Sequence, residues 1–453
     1  MIKELFKSAE QHSFAIIQGT QKITYLNFES QVMFYMNQLT KAGVSQGDKV
    51  ALELEDKLEF FVILVSLFTL GAKVLPLSAN YNECYKCTLL DIFNPDKVIN
   101  NVGEFEEYIP EKKMNSFIYK DSSNNAQVIT FTSGTTGTPK AVCHDLKSLL
   151  VCAEAFNKHN EIGCEVKMLH VMPCFYMAGI LNTFLCPLIA GGCVILSTTF
   201  SASNAATIFK NFAKYRANAI WLSPSMLALS SKMTTDRDAI GWVSDCAAKI
   251  FIGTAPLMQN TKKEFEHKFA HEVLESYGTS EQLFISCAKV GEGHLDGVGR
   301  CLDLVNVTFS DSNEILIDSP WEMLGYLNAD SECPATGDIG KSSSGVLSIT
   351  GRKKDIIIKG GINISSRYIE DVSLKYAGIM DAAVVAKPHD FWGEVPILFL
   401  LSEHDLNIKS IKAWLGTLLP SEFLPEKIIV LKSFPTSVTG KVMKAKLIEK
   451  YLI

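Results

Sequence analysis

The sequence predicts an α/β protein: a large N-terminal domain of doubly wound parallel sheets, a small β-barrel-like subdomain and an α+β C-terminal domain. Three observations support this prediction. The chain has 453 residues, which is too long for one ordinary core. Helical and strand patterns alternate over roughly the first 290 residues. Beyond about residue 295, short strands separated by turns replace that alternation.

The alternation begins with a helix predicted at residues 28–39, where apolar residues recur at helical spacing and Gly43 follows as a stop signal. A buried helix is predicted at 60–70, and a further helix at 146–156. The strands predicted around these helices lie at 50–54, 74–77, 128–131, 167–172, 193–196, 219–222, 249–252 and 272–276. Strands that alternate with helices in this way favour parallel pairing.

The last third of the chain has a different pattern. Strands predicted at 306–309, 314–317 and 346–350 fit a small barrel or an antiparallel sheet. A charged joint, Arg352-Lys-Lys-Asp355, follows them. The elements predicted beyond it are strands at 381–386, 397–401 and 427–431 and helices at 366–376 and 408–418. We therefore predict an N-terminal core over residues 1–352 and a small C-terminal domain over residues 353–453.

Composition narrows the possible functions. Hydrophobic residues make up 47% of the chain and charged residues 20%, as in a folded globular protein. The net charge of −6 argues against a general nucleic-acid binder. Charges interrupt the N-terminus, and no apolar run reaches the roughly 18 residues that span a bilayer. Most of the twelve cysteines lie in apolar segments, so we expect a cytoplasmic protein with reduced thiols.

Two pairs of potential metal ligands give little support for a metal site. Cys84 and Cys87 have CxxC spacing, but no second pair or histidine stands near them in sequence. His267 and His271 are four residues apart, yet the Glu that a zinc-protease motif places after the first His is absent. A solvated helix face is the better interpretation of the histidine pair.

The stretch TFTSGTTGTPKAV at 130–142 has the composition of a phosphate-binding loop. Two glycines let the backbone approach a ligand, and hydroxyl groups and backbone N–H groups supply donors. Lys140 adds positive charge. The spacing is Gly-x-x-Gly-x-x-Lys, so the common P-loop is excluded. A polar loop between a strand and a helix is the alternative interpretation.

Further motifs follow this loop, and together they resemble the adenylate-forming (ANL) superfamily of acyl-CoA synthetases, stand-alone adenylation enzymes and beetle luciferase. The similarity extends over nearly the whole chain. The motifs are TSGTTGTPK at 132–140, MPCFYMAG at 172–179, GTAP at 253–256, SYGTSE at 276–281, ATGD at 335–338, GRKKD at 351–355 and FPTSVTGK at 434–441.

The resemblance implies that ATP and Mg²⁺ are used to activate a carboxylic acid. Lys441, Glu281 and Tyr176 would be catalytic, with Glu281 as the Mg²⁺ ligand. Asp338 would accept both ribose hydroxyls, and Arg352 would assist it. The full set of nucleotide-binding residues implied is Thr132, Ser133, Gly134, Thr135, Thr136, Gly137, Lys140, Gly253, Thr254, Ala255, Ser276, Tyr277, Gly278, Ser280, Asp338 and Arg352.

The resemblance also implies that the C-terminal domain is a mobile lid that rotates between two steps about a hinge at Lys354. Before rotation, Lys441 would bridge the substrate carboxylate and the α-phosphate. After rotation, the turn at 359–361 would face the pantetheine channel.

The acid pocket would be formed around the motif at 172–179. Tyr176 stands where the family often has His, and we expect it to gate the pocket. Met177, Ala178, Gly179 and Asn182 would line the pocket. The segment 175–178 offers no carboxylate to pair with an α-ammonium group. We therefore expect an aryl acid or a fatty or β-branched acyl chain.

Four functions fit these motifs to different degrees. The first is an acid–CoA ligase, and the second is a free-standing enzyme that loads a phosphopantetheine carrier protein in trans. The third is a luciferase-like oxidoreductase, and the fourth is an inactive binding module, which the presence of Glu281, Asp338 and Lys441 argues against. Pyrophosphate exchange against a panel of acids, followed by CoA and carrier-protein acceptors, distinguishes them.

Overall fold

The computed structural model describes residues 6, 8–103, 105, 125–132, 139–327, 333–359, 362–436 and 442–452. Its contacts divide the chain into two compact units. The first unit contains Met1–His294, Gly299–Asn306 and Asp318–Pro334. The second contains Leu295–Val298, Val307–Ile317 and Ala335–Ile453.

The strands follow one another along the chain as short segments. They are β1 (Phe14–Gln18), β2 (Gln21–Thr24), β3 (Lys49–Leu52), β4 (Lys73–Pro76), β5 (Lys97–Ile99), β6 (Gln127–Thr132), β7 (Lys140–Asp145), β8 (Lys167–His170), β9 (Cys193–Leu196), β10 (Ala219–Leu222), β11 (Lys249–Ile252), β12 (Leu274–Thr279), β13 (Leu283–Cys287), β14 (Arg300–Cys301), β15 (Asn306–Phe309), β16 (Ile315–Asp318), β17 (Gly325–Tyr326), β18 (Asp338–Ser343), β19 (Val346–Arg352), β20 (Ile356–Lys359), β21 (Ile362–Ser365), β22 (Asp381–His389), β23 (Gly393–Leu401) and β24 (Lys427–Leu431).

The helices alternate with these strands in the first unit and cover the sheet in the second. They are α1 (Tyr25–Lys41), α2 (Lys57–Leu70), α3 (Glu83–Phe93), α4 (Leu146–His159), α5 (Cys186–Ile189), α6 (Ile208–Lys214), α7 (Pro224–Met233), α8 (Arg237–Asp245), α9 (Gln259–Phe269), α10 (Ser366–Ser373), α11 (Ile408–Leu415) and α12 (Lys444–Tyr451). A π-helix spans Ala178–Leu185, directly before α5.

Two sheets form the first unit. One follows the order β14-β13-β12-β11-β10-β8-β9-β1-β2, with parallel pairing from β12 through to β1. The other follows the order β17-β7-β6-β4-β3-β5. In it, β6, β4, β3 and β5 are parallel to one another, β7 is antiparallel to β6, and β17 is antiparallel to β7. The predicted alternation of strands and helices thus gives two parallel-rich sheets.

Helix α2 shows why the sequence places a helix inside this unit. Its sequence KLEFFVILVSLFTL is apolar on all sides, and nearly every residue is buried. The Asp56 side chain caps it by accepting a hydrogen bond from the Glu59 backbone N–H. The Phe61 and Phe184 rings stack with centroids 3.8 Å apart, so the π-helix packs on α2.

The second unit has antiparallel hairpins and a five-stranded sheet. Strand β15 pairs with β16, and β18 pairs with β19. The larger sheet follows the order β21-β20-β23-β22, with β24 parallel to β23. Its core contains Ile364, Ile369, Leu398 and Ile411. The predicted arrangements for 306–350 were a small barrel or an antiparallel sheet, and strands β18 and β19 of this region pair antiparallel.

The structure corrects one local expectation and adds several elements. Helix α9 ends at Phe269 because Ala270 has a left-handed backbone (φ 47°), so His267 and His271 do not share a helix face. The His271 ring nitrogen Nε2 instead lies 2.7 Å from the Ala248 carbonyl oxygen. Strand β7, helix α3 and the hairpin β20–β21 were not predicted from the sequence. Within the described residues, no helix combines the length and apolar character needed to cross a bilayer.

Candidate active site

The predicted phosphate loop joins two antiparallel strands. Strands β6 and β7 pair so that Thr132 lies opposite Lys140. The loop therefore leaves and re-enters one edge of the six-stranded sheet, and strand β7 separates it from the helix that we expected to follow. Lys140 is exposed at the first position of β7. The predicted ligands Ser133, Gly134, Thr135, Thr136 and Gly137 lie outside the described residues.

The motif at 276–281 forms a β-hairpin that presents Glu281. Strands β12 and β13 pair antiparallel, with a bulge between Tyr277 and Gly278. The buried Ser276 hydroxyl donates to the Ser286 carbonyl (2.9 Å). This hydroxyl hydrogen is therefore used in a bond between the two strands of the hairpin. Tyr277 is also buried, with 7% of its surface exposed. Glu281 lies in the turn between these two strands, so the hairpin fixes the position of its backbone.

The turn that contains Glu281 is held from strand β7 and the segment around β17. His144 Nε2 lies 2.7 Å from the Ser280 carbonyl oxygen and therefore donates to it. Burial lowers the pKa of His144, so the ring is neutral when it does so. The Met323 backbone N–H donates to the Glu281 carbonyl (2.8 Å). The backbone of the predicted metal ligand is thus fixed on both sides.

Tyr326 connects two of the predicted site residues. Its hydroxyl donates to Glu281 Oε1 (3.1 Å), and the Lys140 ammonium lies 4.9 Å from its ring centroid. The structure therefore brings Lys140 and Glu281, from separate motifs, to one side chain. Sequence reasoning missed Tyr326, because it lies 45 residues from Glu281 and outside every motif that we recognised.

Residues 253–255 lie beyond the carboxyl end of β11. Strands β10 and β12 flank β11 and are parallel to it. A Cβ atom on Gly253 would come within 2.6 Å of the Trp221 ring and 3.3 Å of the Ser276 carbonyl, so this position requires glycine. Thr254 has a left-handed backbone (φ 73°) and is exposed, and Ala255 is half-buried. Ligands of parallel α/β sheets bind beyond such strand ends.

The acid-pocket motif rests on a buried polar network. The Lys57 ammonium donates to the carbonyls of His170 and Met172 (both 3.2 Å) and to His170 Nδ1 (3.1 Å). His170 Nε2 therefore carries the ring hydrogen and donates to the Gly179 carbonyl (3.1 Å). Burial lowers the pKa of Lys57 to about 8 and places that of His170 well below its usual value. These bonds fix the backbone on both sides of residues 173–178.

The same motif depends on one close approach. A Cβ atom on Gly179 would lie 2.0 Å from the Pro173 carbonyl oxygen. The chain therefore folds back on itself at the start of the π-helix, a local structure frequently found at functional sites. Met177 and Ala178 are half-buried and Asn182 is buried.

Tyr176 belongs to an aromatic cluster. Phe175 lies 4.6 Å from the Tyr176 ring and 5.3 Å from the Tyr81 ring, as measured between centroids. Burial raises the pKa of Tyr81, and the neighbouring Tyr176 raises it further. Burial raises the pKa of Tyr176, so this hydroxyl stays protonated at neutral pH.

In the second unit, the residues around Lys354 are held by different partners. Arg352 Nε lies 2.8 Å from Oδ1 of the buried Asp338, and Lys353 forms an ion pair with Glu314 (2.8 Å). On the other side, Asp355 pairs with Lys444 (3.5 Å), which also pairs with the buried Glu370 (2.8 Å). Lys354 itself is exposed in a 3₁₀ turn. Lys441 lies outside the described residues.

The donor groups fit a magnesium ion that takes most of its ligands from a substrate. Within the described ranges, no group of three or more His, Cys, Asp or Glu side chains is placed to hold a metal ion. Magnesium sites commonly use one or two carboxylates together with phosphate oxygens and waters. Glu281 can supply that carboxylate, because Tyr326 occupies only one of its oxygens.

Parallel-rich sheets are found here with a glycine-requiring position beyond the end of β11, and a lysine and a carboxylate contact one tyrosine. These features are typical of a nucleotide-binding α/β enzyme. The model of the AMP-binding enzymes matches residues 93–327, and that of the AMP-binding enzyme C-terminal domain matches residues 368–441. The chain therefore belongs to the family of AMP-binding enzymes. The predicted superfamily and fold class are confirmed.

Relatives match over nearly their whole length. The chain is 24% identical over 476 residues to the uncharacterized acyl-CoA ligase YhfT of Bacillus subtilis (strain 168), covering 97% of this chain and 95% of that protein. It is 25% identical over 459 residues to a 2-succinylbenzoate–CoA ligase of Listeria monocytogenes, covering 96% of each chain. The structure of ATP-bound MatB from Rhodopseudomonas palustris superposes with a TM-score of 0.86, at 21% identity and 99% and 98% coverage.

Proposed function

We propose that this enzyme uses ATP to convert a carboxylic acid into an acyl-adenylate and then transfers the acyl group to the thiol of coenzyme A. Membership of the AMP-binding family supports nucleotide use. The observation that carries the proposal is that Lys140 and Glu281, which belong to separate motifs, meet at Tyr326. A cationic side chain and a carboxylate that could bind Mg²⁺, both in contact with the same residue, can together neutralise the charge of a polyphosphate.

In the first step, a carboxylate oxygen of the acid attacks the α-phosphorus of ATP. The bond from that phosphorus to the bridging oxygen breaks, and its electron pair leaves with pyrophosphate. Lys140 would hold the β- and γ-phosphates, and Lys441 would stabilise the charge that develops between the carboxylate and the α-phosphate. When bound, Mg²⁺ would neutralise phosphate charge from its position on Glu281.

In the second step, the thiolate attacks the acyl carbonyl carbon. A thioester bond forms, and the carbon–oxygen bond to AMP breaks with its electron pair on the phosphate. We propose that Lys354 is the hinge between the two steps. Arg352 and Lys353 are held on one side of it and Asp355 on the other, which leaves Lys354 as the residue free to absorb a backbone rotation. The boundary at 352/353 and the cytoplasmic location stay predictions.

The acid should be a simple aryl or acyl acid. Residues 175–178 supply Phe, Tyr, Met and Ala, and no carboxylate to pair with an amino acid's ammonium group. Tyr81, Phe175 and Tyr176 form an aromatic wall with hydroxyl groups, which suits a planar ring with a polar substituent. Relatives named as acyl-CoA and 2-succinylbenzoate–CoA ligases support CoA as the acceptor.

Pyrophosphate exchange against a panel of aryl, fatty and amino acids tests the proposal. We expect exchange with an aryl or fatty acid and none with amino acids, and Lys441→Ala should abolish it without lowering the melting temperature. Thioester formation is then compared with CoA and with a carrier protein as acceptor. Exchange with α-amino acids alone, or transfer to the carrier protein alone, would contradict the corresponding half of the proposal.

A further inference from the structure

Tyr326 is fixed by the backbone of the phosphate-loop strand. It lies in β17, which pairs antiparallel with β7, so that Tyr326 lies opposite Val142. The Leu324 N–H donates to the Cys143 carbonyl and the Leu327 N–H to the Ala141 carbonyl, both at 2.8 Å. Hydrogen bonds on either side of Tyr326 therefore hold its Cα at a set distance from the start of β7.

The ring and the hydroxyl group of Tyr326 contact different charged residues. Its ring lies 4.9 Å from the Lys140 ammonium, a distance at which the ring face attracts a cation. Its hydroxyl donates to Glu281 Oε1 at 3.1 Å, and this bond to a charged acceptor is stronger than a neutral one. The two charged groups are of opposite sign, and each contacts a different part of the same residue.

The hydrogen bond from the Tyr326 hydroxyl to one carboxylate oxygen fixes the rotation of the Glu281 carboxylate. The second oxygen is held in one direction as a consequence.

We propose that Tyr326 is a positioning residue that sets the Glu281 carboxylate for Mg²⁺ and the Lys140 ammonium for the phosphates of ATP. This rests on the proposed function, because it takes Mg²⁺·ATP as the ligand. Tyr326 also keeps the two opposite charges on separate partners, the ring for Lys140 and the hydroxyl for Glu281. A direct Lys140–Glu281 ion pair, which would use both groups before the nucleotide arrives, is thereby disfavoured.

Two variants of the full-length enzyme separate the two contacts. Tyr326→Phe removes the hydroxyl and keeps the ring, and Tyr326→Leu removes both. The dissociation constant for ATP is measured by calorimetry with Mg²⁺ and with EDTA. We expect Tyr326→Phe to weaken Mg²⁺·ATP binding about tenfold and to leave binding in EDTA unchanged. Tyr326→Leu should weaken both.

Tyr215 provides a matched control. The Lys214 ammonium lies 5.1 Å from its ring, and Tyr215 follows helix α6, outside the predicted site. Tyr215→Phe and Tyr215→Leu should leave both dissociation constants unchanged. If the unaltered enzyme binds no ATP, the proposed function fails as a whole. If the unaltered enzyme binds ATP and Tyr326→Phe has the same dissociation constant for ATP in the presence of Mg²⁺, only the role of Tyr326 is wrong. That outcome does not depend on whether Tyr326→Leu folds stably.

Discussion

The first unit contains two groups of polar side chains that differ in how fully they bond to one another. Beneath the acid-pocket motif, Lys57 and His170 are buried, and each of their nitrogens has a partner within the network. At the edge of the six-stranded sheet, Lys140 is exposed and Glu281 has a second oxygen beyond the one that Tyr326 occupies. This difference supports our proposal that the second group binds the ligand, whereas the first group supports the backbone.

The comparison also limits what a perturbed pKa indicates. Burial lowers the pKa of both Lys57 and His170, although their hydrogen bonds go to each other and to backbone carbonyls. Perturbed groups often mark functional sites, but structural networks perturb pKa values as well. Here the shifted groups support the backbone of the pocket motif.

Among variants of these two groups and their neighbours, the largest effect should come from Glu281→Gln. The amide keeps a partner for the Tyr326 hydroxyl but loses the negative charge that we assign to Mg²⁺. We expect adenylation to fall by a factor on the order of 10²–10³, with the melting temperature unchanged. Pyrophosphate exchange measures the rate. Glu322→Gln alters a half-buried carboxylate further along the same unit and should keep most of the activity. An equal loss of activity in both variants would contradict the assignment of Glu281 as the Mg²⁺ ligand.

Gly179→Ala should come next. The added methyl would lie 2.0 Å from the Pro173 carbonyl, so the pocket segment must shift, and we expect a loss of about 1–3 kcal/mol in the free energy of unfolding. Gly241→Ala is the control. It lies in α8 with no atom within 4 Å of an added Cβ, and should gain roughly 0.5–1 kcal/mol. Urea unfolding of both variants decides whether the space at Gly179 matters.

Lys57→Met tests the scaffold by pH. The pKa of Lys57 falls from 10.5 to about 8 on folding. Between those values the unfolded chain holds a proton that the folded chain has released, so this group makes stability rise with pH across that window. The variant should be less stable at pH 7, because His170 and two carbonyls lose a donor. The difference between the two proteins, measured by urea unfolding, should widen from pH 8 to 10.5. A constant difference would contradict the shift.

Tyr81→Phe should have the smallest effect. It removes a hydroxyl near Tyr176 and keeps the ring that contacts Phe175. We expect a several-fold rise in the KM for the acid, with no change in the KM for ATP, since a hydrogen bond from that hydroxyl to the acid would contribute about 1 kcal/mol. Tyr85→Phe, whose ring also contacts Tyr81, is the control. A changed KM for ATP would mean that the pocket and the nucleotide site are not separate.

Much of the fold could be predicted from the local pattern of apolar residues. Strand 427–431 coincides with β24, and the predicted helix 28–39 lies inside α1, because periodic apolar residues report the buried face directly. Strand β7 was missed because its Ala, Val, Cys and His residues give a weak strand pattern beside a loop of small residues. The family motifs found Lys140 and Glu281, whose roles still await test.

The contacts that organise the site could not be predicted in the same way. Lys57 lies 113 residues from His170, and Tyr326 lies 45 residues from Glu281. Neither pair shares a helix or strand, so no periodicity joins its members. Only the sheet pairing that brings β17 to β7 places Tyr326 between Lys140 and Glu281.

Helix α2 has a consequence for synthesis on the ribosome. Its apolar surface is covered in part by residues that are translated much later: Lys57 bonds to His170, 113 residues downstream, and Phe61 stacks on Phe184. At about 5–20 residues per second, the nascent helix waits on the order of ten seconds for its partners. During that interval a strongly apolar segment is open to other chains. Production of this enzyme should therefore depend on chaperones that bind the emerging polypeptide before residue 184 is made.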